Sequence, residues 1–302
     1  MPALTDEQVL ERLASFRQHR RDGKRVPHKP LLVLLALGRL ESSGHSALPW
    51  SVAETQLADL IAEFGPPSRT ARAQAAAYPF TRLRADGVWE IDHEVPDDNL
   101  TPLREQRVVG HLEPALEQAL RERPSLLRAA ARRLVESQFP TTLAPDVLTS
   151  VGLDPEEVLA STGTVTDLAQ RRRRSTSWPQ TILAAWDRQC AFCGYDGQLG
   201  GAAVGIEAAH VRWFNLGGPD SDDNGLALCS LHHKLFDRGA LGLDRDHRIV
   251  VSGLFSARTE AAKRVYDLHE KALTPRRGTL LPAVAHVDWH TTQVFKGEAL
   301  SA

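Results

Sequence analysis

Four residues constrain this chain more than any others. Cys190 and Cys193 form a C-x2-C knuckle, and Cys229 with His232 forms a C-x2-H pair further along. Two short pairs carried on opposite hairpins supply the tetrahedral set of soft and borderline donors that zinc asks for. The set uses all three cysteines of a 302-residue chain. A redox C-x2-C and buried structural thiols are the readings the residues alone leave open. An odd cysteine count without secretory context argues against a disulfide framework. The spacing predicts a structural Cys3His zinc site.

A second set is interleaved with the first: His210, Asn224, His233 and Asp237. His210 closes a strand-like stretch over 204–211, and Gly217-Gly218 with 220–223 reads as a loop before Asn224. His233 and Asp237 stand at i, i+4 of an expected helix, so both point to one side and can grip a single cation.

The string Glu207-Ala208-Ala209-His210, Asn224-Gly225-Leu226, then Leu228-Cys229-Ser230-Leu231-His232-His233-Lys234-Leu235-Phe236-Asp237 resembles the HNH endonuclease family. That family has a ββα-metal fold around one divalent cation. The likeness spans roughly residues 180–295, with 289–295 as the closing segment. It implies that His210 is the general base that takes a proton from the attacking water. It implies further that Asn224 bonds backbone in the hairpin and fixes that base, and that His233 and Asp237 hold Mg2+ or Mn2+. A phosphodiester is anionic and repels hydroxide, so a cation must neutralise the transition state. An imidazole near neutral pKa can then activate water without itself being a ligand. Many members carry Asp just before the base histidine, where this chain has Ala209. Glu207 lies on the same strand face as Ala209 and has the longer arm, so it is the expected replacement ligand, unless it pairs with a nearby Arg.

The N-terminal half reads as helices with a small hairpin. Thr5 with Gln8, and Ser51 with Glu54, have capping-box spacing. Pro30 suits the first turn of a helix whose body, 31–40, is apolar on most sides and therefore buried. Residues 80–83, Asp86-Gly87 and 88–91 predict a tight β-hairpin. From about 102 to 139 the leucine spacing, beginning at Leu112, predicts helix, and Asp154-Pro155 with Glu156 and Glu157 starts another. A basic loop of Arg17, Arg20, Arg21, Lys24 and Arg25 runs into His28-Lys29-Pro30, and Arg82 and Arg84 follow Tyr78-Pro79-Phe80. A solvated turn and a core segment are the plain readings of these two pieces. Arg171–Arg174 reads equally as a linker and as a phosphate contact.

Together, His28-Lys29-Pro30-Leu31-Leu32, Tyr78-Pro79-Phe80 and Asp86-Gly87-Val88-Trp89-Glu90 resemble the sulfur-binding domain of phosphorothioate-dependent type IV restriction endonucleases of the McrA kind, over about residues 5–160. Those enzymes join such a domain to a C-terminal HNH nuclease. Sulfur in place of a non-bridging phosphate oxygen is larger, softer and a poor hydrogen-bond acceptor on a group that stays anionic. The resemblance implies that Tyr78 and Pro79 form an apolar cup while His28 and Lys29 hold the charge. Arg82, Arg20 and Arg21 are then expected on flanking phosphates. Lys29 stands where the family often has Arg, and Lys lacks the planar fork.

The expected architecture is α+β: a mainly helical reader domain over 1–165 and a ββα-metal domain with structural zinc over 166–302. Lys+Arg of 36 against Asp+Glu of 38 leaves a net charge of -2, so DNA must meet local patches and not a uniformly basic coat. The longest apolar run, Leu31–Leu37, is too short to span a bilayer and no signal peptide opens the chain, so an intracellular, cytoplasmic protein is expected. Cutting both strands with one metal per site suggests a homodimer. The competing readings are an HNH nuclease that reads a methylated base, which is commonly flipped into an aromatic cage, and a non-catalytic DNA-binding module.

Overall fold

The computed structural model describes residues 4–15, 26–160, 175, 177–273 and 275–301. The chain forms two compact units, Met1–Arg171 and Arg172–Ala302. The boundary expected at 165/166, the basic loop with Arg17, Arg20, Arg21, Lys24 and Arg25, and Arg171–Arg174 all lie outside the described residues.

In the first unit, α1 (Asp6–Ala14) starts at the capping box: Gln8 N–H donates to Thr5 Oγ1 at 3.2 Å, and Thr5 N–H to Gln8 Oε1 at 2.9 Å. α2 (His28–Ser43) carries Pro30 in its first turn and is buried from Leu31 through Leu37. Because α3 (Trp50–Phe64), α4 (Arg72–Arg82) and α7 (Pro124–Gln138) pack around it, no side of this helix needs to be polar. A three-stranded antiparallel sheet, β1 (Leu48–Pro49), β3 (Val109–Leu112) and β2 (Trp89–Ile91) in spatial order 1-3-2, lies beside them. α5 (Leu100–Glu105), α6 (Pro114–Glu122), α8 (Ala144–Ser150) and α9 (Pro155–Ala160) complete the unit. Asp154 starts α9 as expected, its Oδ1 accepting from Glu156 N–H at 2.8 Å.

Three expectations are corrected. The 80–91 hairpin does not form: Tyr78-Pro79-Phe80 closes α4, a 3-10 turn (Leu83–Asp86) follows, and Gly87 caps it in the left-handed region at φ 69°. The alanine-rich run before Tyr78 favours helix. Phe80, fully buried, packs edge-on against Trp50 and Trp89 at 5.1 and 5.6 Å, and this tertiary contact overrides the local turn signal. Leu112 is a strand residue, paired with Trp89. Ser51 and Glu54 do not cap α3. Trp50 N–H donates instead to Val108 O at 2.8 Å, and Glu54 pairs with Arg104.

The second unit has the ββα arrangement. β6 (Ile206–His210) and β7 (Gly225–Cys229) pair antiparallel, Ile206 opposite Cys229 and His210 opposite Gly225, and α11 (Ser230–Asp237) follows directly. α10 (Trp178–Ala185) packs on both strands. A small hairpin, β4 (Gln198–Leu199) with β5 (Ala202–Ala203), precedes them, and β8 (Leu241–Leu243) with β9 (Ile249–Val251) comes after. α12 (Glu260–Lys263) and α13 (Val284–Gln293) complete the unit. α13 carries Trp289 and His290 of the 289–295 segment, and His290 stacks on Phe236 at 3.8 Å and donates to Phe236 O at 3.0 Å. Burial holds the His290 pKa down to about 3, so it is a neutral donor.

Candidate functional site

Chemistry in the second unit gathers in three groups. The first is the sulfur cluster. Cys190 and Cys193 sit on a turn closed by Gly194 N–H to Cys190 O at 2.8 Å, and Ala191 N–H to Ala227 O at 2.8 Å ties that turn to β7. Cys229 ends β7 and caps α11, whose first turn carries His232. Their ligand atoms all lie within 4.8 Å of one another, and His232 Nδ1 is 3.4 Å from Cys190 Sγ and 3.3 Å from Cys229 Sγ. A hydrogen bond between the two thiols pulls Cys190 down and pushes Cys229 up. Three sulfurs and an imidazole converging on one point, two of the four residues buried, fit zinc.

The second group is built on α11. His233 and Asp237 stand one turn apart, His233 Nε2 lying 3.4 Å from Asp237 Oδ2, with both residues buried. Trp213 Nε1 donates to Asp237 Oδ1 at 2.9 Å and fixes that carboxylate. Glu207 reaches across from β6, its Oε2 2.7 Å from His233 Nδ1 and its Oε1 accepting from Ser230 Oγ at 2.9 Å. The two carboxylates therefore take opposite nitrogens of one imidazole. Burial works against its charge, yet Asp237 and Glu207 together hold the His233 pKa above the usual histidine range. The His233 hydrogen bond in turn lowers that of Glu207. The His233–Asp237 separation is close to the roughly 3 Å between neighbouring ligands of an octahedral Mg2+. Those two residues fit a small hard cation, and Glu207 sits on the ring's far side.

The third group surrounds His210. Strand alternation puts His210 and Glu207 on opposite faces of β6, and their contacts agree. His210 stacks on Trp178 of α10 at 3.8 Å and 16°, while Glu207 meets α11. Gly225, opposite His210, has no room for a side chain, because a Cβ there would lie 2.3 Å from Ile182 Cδ1 and 3.0 Å from the Trp178 ring. His210 Nε2 is 2.8 Å from Asp220 Oδ1. Asn224, fully buried, bonds only backbone: it accepts from Arg212 N–H at 2.8 Å and donates to Arg212 O at 3.0 Å and Pro219 O at 2.9 Å. These bonds staple the loop that begins just after His210. The sequence reading missed Asp220. Its only local signal is an acidic run inside a glycine-flanked loop.

In the first unit, the start of α2 and the end of α4 come together. Lys29 forms an ion pair with Asp86 of the turn after α4, the Lys side chain 19% and the Asp 4% exposed. Pro79 is buried and Tyr78 half-buried, with the Arg82 guanidinium 5.0 Å from the Tyr78 ring centre. Arg82 also pairs with Asp98, and Arg84 with Asp97 at 2.6 Å. His28 is half-buried in the first turn of α2. Asp86 and Asp98, also missed from sequence, neutralise two cations expected to meet phosphate.

Residues 6–156 match the family model of the ScoMcrA-like DNA sulfur-binding domain, and residues 190–244 match that of the HNH endonucleases. Among solved structures, the chain is similar to the sulfur-binding domain of ScoMcrA complexed with phosphorothioated DNA, at 24% identity and TM-score 0.42, covering 50% of this chain and 98% of that one. It is similar to the type IV phosphorothioation-dependent restriction endonuclease ScoMcrA at 12% identity and TM-score 0.39, covering 93% and 98%. It is also similar to the modification-dependent TagI restriction endonuclease at 22% identity and TM-score 0.32, covering 40% and 38%. No curated protein matches the chain. The two family models carry the assignment. Among the described residues, no helix is long and apolar enough to cross a membrane.

Proposed function

Because the chain belongs to the ScoMcrA-like DNA sulfur-binding domain family and carries an HNH endonuclease domain, which makes it a DNA-hydrolysing nuclease, we propose that it binds phosphorothioated double-stranded DNA and cuts a nearby phosphodiester. The observation that carries this reading is the presence of both matches on one chain, with the HNH base, asparagine and helical ligand positions all filled by competent residues.

The reader offers a polarisable cup and a charge clamp. The Tyr78 ring and the Pro79 ring suit a soft sulfur that accepts hydrogen bonds poorly, and His28 and Lys29 suit the anionic charge it leaves on phosphate. In the free protein Lys29 already has Asp86 and Arg82 has Asp98. A DNA phosphate must therefore compete with two carboxylates, which disfavours loose binding to any backbone. From sequence alone, Arg20 and Arg21 are assigned to flanking phosphates as well.

In the nuclease, Cys190, Cys193, Cys229 and His232 would hold Zn2+, which would tie the knuckle to the start of α11 in a structural role. His233 and Asp237 would hold Mg2+ or Mn2+, which when bound neutralises phosphate charge. Glu207 keeps the far nitrogen of His233, the carboxylate–imidazole partnership that orients a metal-ligating histidine, in place of the direct ligation expected from sequence. His210 takes a proton from water as the water oxygen bonds to phosphorus. The P–O bond to the leaving bridging oxygen breaks, and that oxygen takes a proton from solvent. Asn224 holds the backbone next to the base. The reader and nuclease domains are taken as 1–165 and 166–302, the working form as a homodimer and the site of action as the cytoplasm.

Matched duplexes that are phosphorothioated, base-methylated or unmodified, incubated with Mg2+ and with Mn2+, test the reading. Cutting confined to the first duplex is expected. Equal cutting of all three would reduce the first unit to a general DNA binder, and cutting confined to the methylated duplex would move its specificity to a base.

A further inference from the structure

We infer that Asp220 is a positioning residue of the nuclease: it fixes the tautomer of His210, while its neighbour Ser221 holds the Trp178 ring that sets the imidazole plane. The inference rests on the proposed role of His210 as the base, and concerns how one carboxylate sets that base up.

A carboxylate only accepts hydrogen bonds, so the 2.8 Å contact places the imidazole proton on Nε2, facing Asp220 Oδ1. A neutral imidazole carries one N–H, so its basic lone pair is then on Nδ1. Both side chains are only 14% exposed, where such a bond is stronger than in water. Asp220 is itself held, since its Oδ2 accepts from Ser175 N–H at 2.7 Å. Ring rotation is restrained separately. The Trp178 indole lies 16° from parallel to the imidazole at 3.8 Å, and Phe214 approaches it at 5.7 Å. Trp178 is anchored by Nε1–H to Ser221 O at 3.0 Å, on the residue next to Asp220. Two neighbouring loop residues thus set the two degrees of freedom of the ring, its proton and its plane. When Nδ1 takes the water proton, the resulting imidazolium remains beside a carboxylate that stabilises it.

The test compares the full chain with Asp220→Asn, Asp220→Glu, His210→Ala and the double variant His210→Ala/Asp220→Asn, each checked for folding by thermal unfolding. Asn can donate its amide N–H to Nε2 and so move the ring proton to Nδ1. Ring-15N NMR should therefore show His210 protonated on Nε2 in the parent and on Nδ1 in Asp220→Asn. On phosphorothioated plasmid with Mn2+, Asp220→Asn should lower kcat by about 10²–10⁴-fold with KM unchanged. Asp220→Glu should recover part of that loss. The double variant should cut no more slowly than His210→Ala, because a residue acting through His210 has nothing left to act on. An unchanged tautomer, an unchanged kcat, or losses that add in the double variant would each overturn the assignment. If His210→Ala itself cuts at the parent rate, the hydrolytic reading of His210 fails, and the NMR signal still decides whether Asp220 sets the tautomer.

Discussion

The two units bury different things. The first closes around α2, whose Leu31, Leu32, Val33, Leu34, Ala36 and Leu37 have no exposed surface, and its buried polar residues are Ser46, Thr81 and Gln138. The second buries His232, His233, Asp237 and His290 together with Asn224, Ser252 and Gln293. Among the described residues, the buried histidines and Asp237 are all in the second unit. Burying such groups is costly unless they are bonded or ligated, so their concentration in one unit marks where chemistry is done. In the first unit most charges are paired nearer the surface, across α2, α4 and the loops that follow, with the Asp86 carboxylate the covered partner of Lys29. That arrangement suits recognition of an anionic backbone, whereas the second suits reaction at one phosphorus.

The largest expected contrast is in what holds each unit together. Cys229→Ser, or a strong chelator, should unfold the second unit and leave the first unit's thermal transition in place, since a structural zinc contributes on the order of 10 kcal/mol. Metal analysis should find one zinc per chain in the parent and none in the variant; a second unit that stays folded without metal would break the comparison. Leu34→Ala should do the reverse. It leaves a cavity at the centre of α2, costing about 2–5 kcal/mol in the first unit with zinc content unchanged.

Acid should separate the units further. His290 is neutral when folded, its pKa lowered by burial to about 3. The unfolded chain therefore binds the extra proton first, so the His290 contribution to stability falls as pH drops below about 6.5 and is fully lost near the folded value, while His233, its pKa raised, contributes in the opposite sense. One pH unit below 6.5 this amounts to about 1 kcal/mol in the second unit. His290→Gln should remove this component of the slope, and urea unfolding of parent and variant at pH 7.5, 6.5 and 5.5 measures the difference. The smallest effect belongs to the reader. Asp98→Asn releases Arg82 from an exposed pair and should change stability by less than about 1 kcal/mol. It should tighten binding to unmodified DNA with a steeper salt dependence, as titrations at two salt concentrations would reveal. Tighter binding to phosphorothioated DNA alone would place Arg82 at the mark and not on flanking phosphate.

Much of the nuclease was legible from spacing because its ligands are local. C-x2-C and C-x2-H each fit one turn, and His233 with Asp237 fits one helical turn, so period and pair geometry suffice. The central helix was legible for a similar reason: an uninterrupted apolar run has to be buried. Other elements were misread where a distant partner decides. Asp86-Gly87 suits a hairpin turn equally well, and only the packing of Phe80 between Trp50 and Trp89 makes the preceding segment helix. The Ser51–Glu54 spacing suits a cap, but Val108, just before β3, delivers its carbonyl to Trp50 first.

By itself, then, the order of residues determined which groups could bind zinc and which two could share one face of a helix, because those relations are set within a turn or two of backbone. Tertiary structure decided which nitrogen of His233 each carboxylate meets, that Asp220 and Trp178 frame His210, and that Asp86 and Asp98 answer Lys29 and Arg82. Each of these joins residues from separate elements or across a folded loop. Their distances depend on how the pieces pack, which no local period encodes.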